Sequence, residues 1–582
     1  MLARIDSAPK KFGAKFTFLQ STGLVMKNNH VASIHHQPLN RSLCLRKLSG
    51  MWLALTCVGS AGFAVAADAP VASPATAATA PYLASFPNFA PKLAPALPGD
   101  VDVALQKKLE AEKHFADVQR LFDLNAWQMF LALNWPTNDA GQPAPNLADT
   151  NFGAPHWTLF RESSDIFRVD GKTPAACRLP AEKQALSLAR DTTVAPMHGL
   201  PPLPPLLQNA SISPRASRVL ANVSAVGEID LADLAKLTEV DQAFSGPLVD
   251  QNGNLVHYEI LLDSNEVGFL CSNNLYNLNG QITYSNKVPA QTLTFPEGVD
   301  SKNWSGALEV KLAWKILDTS KGDNPNRFFN MKAQIPALDT TGKTIIWKDV
   351  TVGLVGMHIA HKTKSSPQWI WATFEQVDNL VGDSMAHPPT KASFYDPNCE
   401  ICVPNVQPSS KEIPTKPVQA VRAVQIPGEK IQLNHEAQAT LAKLNSVWRY
   451  YELVDTQWPT EPSAKPAPWN SGLPYAVNNK PGGNPTPVFL TNITMETYFQ
   501  KGVQAACHQE ELPSGVDCPA KPGTTGGDAT PIFASESCMG CHSSAGIAKS
   551  WNATTKKATF GDQLSGDFSW LLQTKAKYDS GK

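Results

Sequence analysis

Residues 308–316 have the sequence LEVKLAWKI, in which Glu309 and Lys311 separate apolar residues. A two-residue repeat of this kind is typical of a β-strand with one face in the core and one face toward water. Similar enrichment in β-branched and aromatic residues is found in residues 256–262, 345–359 and 369–377. These strands predict a β-rich domain over residues 151–405.

The segments before and after this region have apolar residues at helical spacing. Apolar residues recur every three or four positions in the predicted helical N-terminal segment, residues 101–150. The same spacing returns after residue 430, where Asn434 is predicted to cap a helix, and another helix is predicted near residues 495–504. Asn252-Gly253 and Asn279-Gly280 predict hairpin turns. The expected fold class is α+β, with flanking helices around the β-rich domain and a mainly α-helical region over residues 406–582.

Composition limits the classes of function. Hydrophobic residues make up 42% and charged residues 17% of the 582-residue chain, which indicates a globular protein with a sizeable core. The 50 Lys and Arg residues are balanced by 51 Asp and Glu residues. Because no basic excess is available to neutralise phosphates, nucleic acid is excluded as an expected partner.

The N-terminal sequence predicts export. Basic residues at Arg41, Arg46 and Lys47 precede an apolar run, residues 51–65, and Ala64-Val65-Ala66 matches the small-residue rule for signal cleavage. We expect residues 1–66 to comprise an N-terminal extension and a signal peptide, and the protein to be periplasmic; an uncleaved anchor is the alternative. An Ala- and Pro-rich linker follows over residues 67–100, and no membrane span is expected in the mature chain.

Cysteine usage agrees with an oxidising compartment. Disulfides are the expected state of six cysteines in the mature chain, which are Cys177, Cys271, Cys399, Cys402, Cys507 and Cys518. Cys507 is expected to pair with Cys518. For Cys399 and Cys402, the prolines on both sides favour a disulfide over a redox-active motif. The sequence does not determine which cysteine pairs with Cys177 or with Cys271.

The segment Cys538-Met539-Gly540-Cys541-His542 has the C-x-x-C-H pattern. In this pattern two thiols add across the vinyl groups of a haem, and the adjacent imidazole binds the iron. The alternatives are a CxxC disulfide, or half of a zinc site, beside an unrelated histidine.

At this motif the chain resembles the c-type cytochromes, over about its last 90 to 150 residues. The resemblance implies one covalent haem c bound by Cys538 and Cys541, with His542 as the proximal iron ligand, in a helical haem domain over residues 406–582. It also implies electron transfer. Residues 100–400 are not assigned to a family.

The second axial ligand of the iron is not specified by the motif. Residues 543–582 contain neither Met nor His, although small cytochromes of this class place a methionine there. Met495 is the nearest thioether upstream and is the predicted ligand, and His508 is a second candidate. His358 and His361 are expected on opposite faces of a strand, and either one is able to approach the haem.

Two functions rank first, and a third possibility is that the upstream part binds a substrate whose electrons leave through the haem domain. The first is electron transfer with a redox partner protein or a small-molecule donor or acceptor. The second is a periplasmic haem oxidoreductase, peroxidase- or oxygenase-like, with an open or exchangeable sixth iron position. The sequence assigns no catalytic residue, and whether the protein is an enzyme stays undecided.

Overall fold

The computed structural model describes residues 93–178, 215–221, 240–242, 245–287, 292–302, 304–341, 345–381, 391–408, 416–464, 482–487, 489–500, 537–562 and 564–581. The expected signal peptide, its cleavage site and most of the Ala- and Pro-rich linker lie outside these residues. Cys507, His508 and Cys518 also lie outside them.

The helices within the described residues are α1 (Val103–Ala111), α2 (Phe115–Leu133), α3 (Ser163–Ile166), α4 (Ser264–Ser272), α5 (Leu278–Ser285), α6 (Gly428–Lys443), α7 (Cys538–His542) and α8 (Leu571–Thr574). The strands are β1 (Pro136–Thr137), β2 (Ala154–Pro155), β3 (Arg161–Glu162), β4 (Ser217–Val219), β5 (His257–Leu262), β6 (Leu308–Ile316), β7 (Asn330–Leu338), β8 (Ile345–His361), β9 (Ile370–Gln376), β10 (Tyr451–Glu461), β11 (Gly482–Thr486), β12 (Ala548–Asn552) and β13 (Lys557–Phe560).

Nine of these strands form one sheet. Its main path runs in the order β11-β10-β9-β8-β6-β5-β3, and β7 pairs with both β8 and β4. The pairings are antiparallel except for the parallel pair β4 and β7. Strand β6 spans the residues with the alternating sequence pattern, and the expected β-rich central region is confirmed.

Helices α2 and α6 cover one face of the sheet. Phe130 of α2 stacks on Phe374 of β9 with ring centroids 4.2 Å apart, and Trp127 contacts the same ring edge-on at 5.1 Å. These aromatic contacts belong to a buried cluster that also includes Leu312 and Met357. Burial of these large rings is the main stabilising term on this face.

Asn434 does not cap a helix, contrary to the sequence prediction. Helix α6 begins at Gly428, so Asn434 lies in its second turn. Its buried amide accepts a hydrogen bond from the Leu453 backbone N–H at 2.9 Å and donates one to the Leu453 carbonyl at 2.8 Å. The residue therefore joins α6 to strand β10, because a buried amide needs partners for its polar atoms.

The predicted hairpin at Asn279-Gly280 is also wrong. Both residues lie inside helix α5, because the side chain of Asn277 caps this helix by accepting a hydrogen bond from the Gly280 N–H at 2.8 Å. At Asn252-Gly253 the chain does turn, between bridged residues Val249 and Leu255.

A mainly helical C-terminal region is not confirmed by the described part of residues 406–582. Strand β10 comes from this region and pairs with β9, so it belongs to the same sheet as the central strands. Residues 451–459 of β10 are buried on both faces and lack the alternation that marks a half-exposed strand. Residues 495–500 likewise contain only a 3-10 turn, Thr497–Phe499, instead of the predicted α-helix.

The second face of the sheet carries the C-terminal segment. Residues 537–581 pack through Met539, Ile547 and Leu572 into a buried cluster with α4, α5 and Trp371 of β9. A separate buried cluster contains Val355, Met495 and Tyr498. No helix in the described part of the chain has the length and apolar character needed to cross a membrane.

Candidate haem site

Helix α7 presents the three residues of the CxxCH motif on one side. Ser537 caps the helix by accepting a hydrogen bond from the Gly540 N–H at 3.0 Å, and its carbonyl accepts one from the Cys541 N–H at 2.9 Å. Because residues three and four positions apart share a helix face, the Cys538 thiol lies beside Cys541 and His542. This single turn brings two thiols and an imidazole together.

Neither Cys538 nor Cys541 forms a disulfide, and both residues are half-buried. By contrast, Cys177 pairs with Cys271 and Cys399 pairs with Cys402, which confirms disulfides for these four cysteines. The CxxC disulfide considered for Cys538 and Cys541 therefore does not form in this structure. Burial raises the pKa of the Cys538 thiol well above its usual value, whereas thiol–disulfide oxidoreductases depend on a lowered pKa.

The His542 ring is oriented by a backbone carbonyl. Nδ1 lies 2.8 Å from the Phe568 carbonyl oxygen, which can accept a hydrogen bond only from a protonated Nδ1. This contact selects the tautomer in which Nε2 carries the available lone pair. Within the described residues Nε2 has no hydrogen-bond partner, so it is the ring atom available for a metal.

The electrostatic surroundings of His542 keep its ring neutral. Burial lowers the pKa of His542 to about 4 and outweighs the hydrogen bond to the Phe568 carbonyl, which raises it; the nearby positive charge of Lys311 acts in the same direction as burial. A neutral imidazole is the form that binds a metal. The ring also packs on Trp371 of strand β9, with centroids 4.4 Å apart.

Two side chains from outside the motif hold helix α7 in place. The Met539 N–H donates to Oε1 of Gln457 on β10 at 2.7 Å, and Nε1 of Trp570 donates to the Cys541 carbonyl at 3.2 Å. Neither contact could be predicted from a local pattern, since Gln457 lies 82 positions and Trp570 29 positions from its partner. These contacts fix the motif against the sheet.

The Phe568 carbonyl is supported by a buried ion pair. Lys362 and Asp567 are joined by contacts of 2.7 and 2.9 Å from Nζ to the two carboxylate oxygens, and Asp567 also accepts from the Phe295 N–H. Asp567 and Phe568 adopt φ values of +46° and +71°, which are uncommon for residues other than glycine. The ion pair holds the backbone in the conformation that presents the carbonyl to His542.

These residues fit a covalently attached haem. Two thiols that are not in a disulfide and one oriented, neutral imidazole are the donor set that this group requires. Cys538 packs against two apolar clusters, one with Met539 and Trp371 and one with Val454 and Leu490, as expected beside a largely apolar porphyrin. No group of three or more His, Cys, Asp or Glu able to hold a bare metal ion occurs among the residues that the structure describes. A haem iron needs no such group, because the porphyrin supplies four of its ligands.

Polar residues occupy the sheet face next to the motif. Strand register places Lys311 on β6, His358 on β8 and Thr373 on β9 side by side on the face that also carries Trp371. Glu496 approaches from the loop before the Thr497–Phe499 turn, and its carboxylate lies 2.9 Å from Nε2 of His358. We call Lys311, His358 and Glu496 the polar group.

Met495, the predicted sixth ligand, is fully buried in the cluster with Val355 and Tyr498. Its terminal methyl group lies against Gly356, where an added Cβ would approach it to 3.3 Å. Ligation by Met495 stays a prediction.

His358 and His361 occur three positions apart in β8, so their side chains point to opposite faces, as predicted. His361 is buried, and its Nε2 lies 2.6 Å from the Ser305 carbonyl oxygen. Only His358 therefore shares the face that carries the motif.

Comparison of the chain with protein-family models, curated proteins and solved structures finds no match.

Proposed function

We propose that the protein is an exported c-type cytochrome that transfers electrons through one haem attached to Cys538 and Cys541. His542 is the proximal iron ligand in this proposal. The observation that carries it is the placement of two cysteines outside any disulfide beside an imidazole whose Nδ1 is held by the Phe568 carbonyl. Metal-binding histidines are commonly oriented by such a contact at the second ring nitrogen.

When bound, the haem would supply reversible one-electron chemistry between the ferrous and ferric states. The chain holds the attachment helix through Gln457 and Trp570 and keeps the His542 ring neutral by burial. Trp371 and the apolar residues around Cys538 line one side of the site. A redox partner protein or a small-molecule donor or acceptor would exchange the electrons.

Export to the periplasm is supported by two independent features. The leader-like sequence ends near Ala66, and two disulfides are formed among the described residues. Stable disulfides are characteristic of oxidising compartments, where covalent haem attachment of this type also takes place.

A haem oxidoreductase with an exchangeable sixth position is the second candidate. The polar group favours it, because a proton-donating imidazole and a cation beside a haem suit the binding of small oxidants. Exposure of reduced protein to carbon monoxide separates the two functions. A haem that does not bind carbon monoxide supports electron transfer, and one that binds it supports the oxidoreductase.

The attachment itself is tested by producing the full chain in the periplasm of a bacterium that has a cytochrome c maturation system. Intact mass and haem-stained denaturing gels should show one covalent haem in the wild-type protein. The Cys538→Ser/Cys541→Ser variant should lose it, whereas the matched Cys399→Ser/Cys402→Ser variant should keep it. Absence of covalent haem from folded wild-type protein would contradict the proposal.

A further inference from the structure

The rings of His358 and His542 share the same degree of burial and the same kind of hydrogen bonding. Each ring is half-buried, and each has one nitrogen fixed by an oxygen acceptor. Nδ1 of His542 lies 2.8 Å from the Phe568 carbonyl, and Nε2 of His358 lies 2.9 and 3.1 Å from the two carboxylate oxygens of Glu496. Within the described residues the other nitrogen of each ring has no hydrogen-bond partner.

The strand register places His358 near the tryptophan on which His542 packs. His542 packs on Trp371, and Trp371 is paired with Ala360, which lies two positions from His358 on the same face of β8. Such diagonal neighbours in a sheet are about 7–8 Å apart.

Glu496 is held firmly in its position opposite His358. One of its carboxylate oxygens accepts a hydrogen bond from the Asn492 N–H at 2.8 Å, and Asn492 in turn donates to Thr373 Oγ1 at 2.8 Å. The neighbouring Ile493 N–H donates to Glu375 on strand β9 at 2.7 Å. The loop is thus tied to the sheet, and the His358 ring is oriented by a carboxylate that cannot easily move.

We infer that His358 supplies the sixth ligand of the haem iron through Nδ1, and that Glu496 is the positioning residue that orients its ring. This inference rests on the proposed function, because it requires the haem. A carboxylate at the second nitrogen of a metal-binding imidazole fixes the tautomer and strengthens the ring as a donor. The side chains of His358 and Glu496 are both 20% exposed. Met495, in contrast, is packed within the core.

Absorption and electron paramagnetic resonance spectra of the full-length haem protein test this inference. The wild-type protein should be low-spin and should not bind carbon monoxide when reduced. The His358→Ala variant should keep its covalent haem by mass, become high-spin, and bind carbon monoxide. Added imidazole should restore its low-spin spectrum. His358→Gln keeps an amide that can bond to Glu496, and it should show the same change in spin state if the alanine variant folds poorly.

The Glu496→Gln variant tests the positioning role separately. It should remain low-spin, but its midpoint potential should rise, because an imidazole without the carboxylate donates less electron density to the iron. Met495→Ala is the matched control and should remain low-spin at an unchanged potential. A low-spin spectrum that persists in both His358 variants, a high-spin wild-type protein, or a change to high spin in Met495→Ala would overturn the inference. Each of these outcomes leaves the attached haem in place, whereas a wild-type protein without covalent haem would overturn the proposed function itself.

Discussion

At the scale of single residues, burial of an ionisable group contributes to the response of the protein to acid. His361 is 2% exposed, and burial lowers its pKa to about 4 despite the hydrogen bond to the Ser305 carbonyl, which raises it. The unfolded chain binds a proton at this residue below a pH of about 6.5, whereas the folded protein does so only near pH 4. Protonation of His361 therefore favours unfolding as the pH falls.

We predict that the His361→Gln variant loses this part of the acid sensitivity. In the wild-type protein His361 should contribute a decrease of up to about 3 kcal/mol in the free energy of unfolding between pH 6.5 and pH 4. Denaturant unfolding at both pH values measures this change. His435→Gln, on the exposed surface of α6, is the matched control and should retain the wild-type slope. An equal slope in both variants would contradict the prediction.

A second residue-scale prediction concerns the ion pair behind the Phe568 carbonyl. The Lys362 side chain is 1% exposed, and replacing it by Met leaves Asp567 as a buried charge without its partner. Loss of one partner of a buried pair costs about 3–5 kcal/mol. Lys362→Met should therefore lower the free energy of unfolding by about this amount, whereas Lys364→Met, at an exposed position, should change it by less than about 0.5 kcal/mol. Denaturant unfolding with similar values for both variants would show that the pair does not stabilise the loop.

At the scale of elements, a helix or strand could be predicted from the sequence where its own residues carry a clear hydrophobic pattern. Strand β6 could be predicted at its observed limits because Glu309 and Lys311 interrupt an apolar pattern. Strand β10 was missed because its residues 451–459 are buried on both faces. The hairpin turn predicted at Asn279-Gly280 was wrong because the side chain of Asn277 caps a helix that includes both residues.

The candidate site follows the same rule. Cys538, Cys541 and His542 could be predicted from the sequence because covalent haem attachment requires them within five positions. The contact between His358 and Glu496 spans 138 positions, and that between Gln457 and Met539 spans 82. Such contacts form only when the sheet brings distant segments together, so no local sequence pattern predicts them.

One element-scale prediction uses Gly356, on strand β8 beneath the loop that carries Glu496. A Cβ at this position would overlap the Thr494 hydroxyl group and approach the Asn492 side chain to 3.2 Å. Gly356→Ala should therefore displace the loop and lower the free energy of unfolding by about 1–3 kcal/mol. The displacement should also alter the absorption spectrum of the attached haem. Gly428→Ala is the matched control, because nothing lies within 4 Å of its added Cβ. Thermal unfolding and absorption spectra that do not differ between the variants would contradict the prediction.

At the scale of the whole molecule, the two observed disulfides constrain the chain to very different extents. Cys177–Cys271 closes a loop with a sequence separation of 94, whereas Cys399–Cys402 has a separation of 3. The longer bridge also joins the segment before residue 178 to helix α4 within the cluster that contains Met539 of the motif. Its stabilising effect therefore extends to the packing around the candidate haem site.

Removing each bridge separately should reveal this difference. From the loop entropy of the unfolded chain, loss of Cys177–Cys271 should lower the free energy of unfolding by about 4–5 kcal/mol, and loss of Cys399–Cys402 by about 2 kcal/mol. Denaturant unfolding of the two double Cys→Ser variants measures both changes under the same conditions. The first variant should also retain less covalent haem, because the α4 cluster supports helix α7, whereas the second should keep the wild-type amount. Equal losses of stability in the two variants would show that the longer bridge does not organise this part of the molecule.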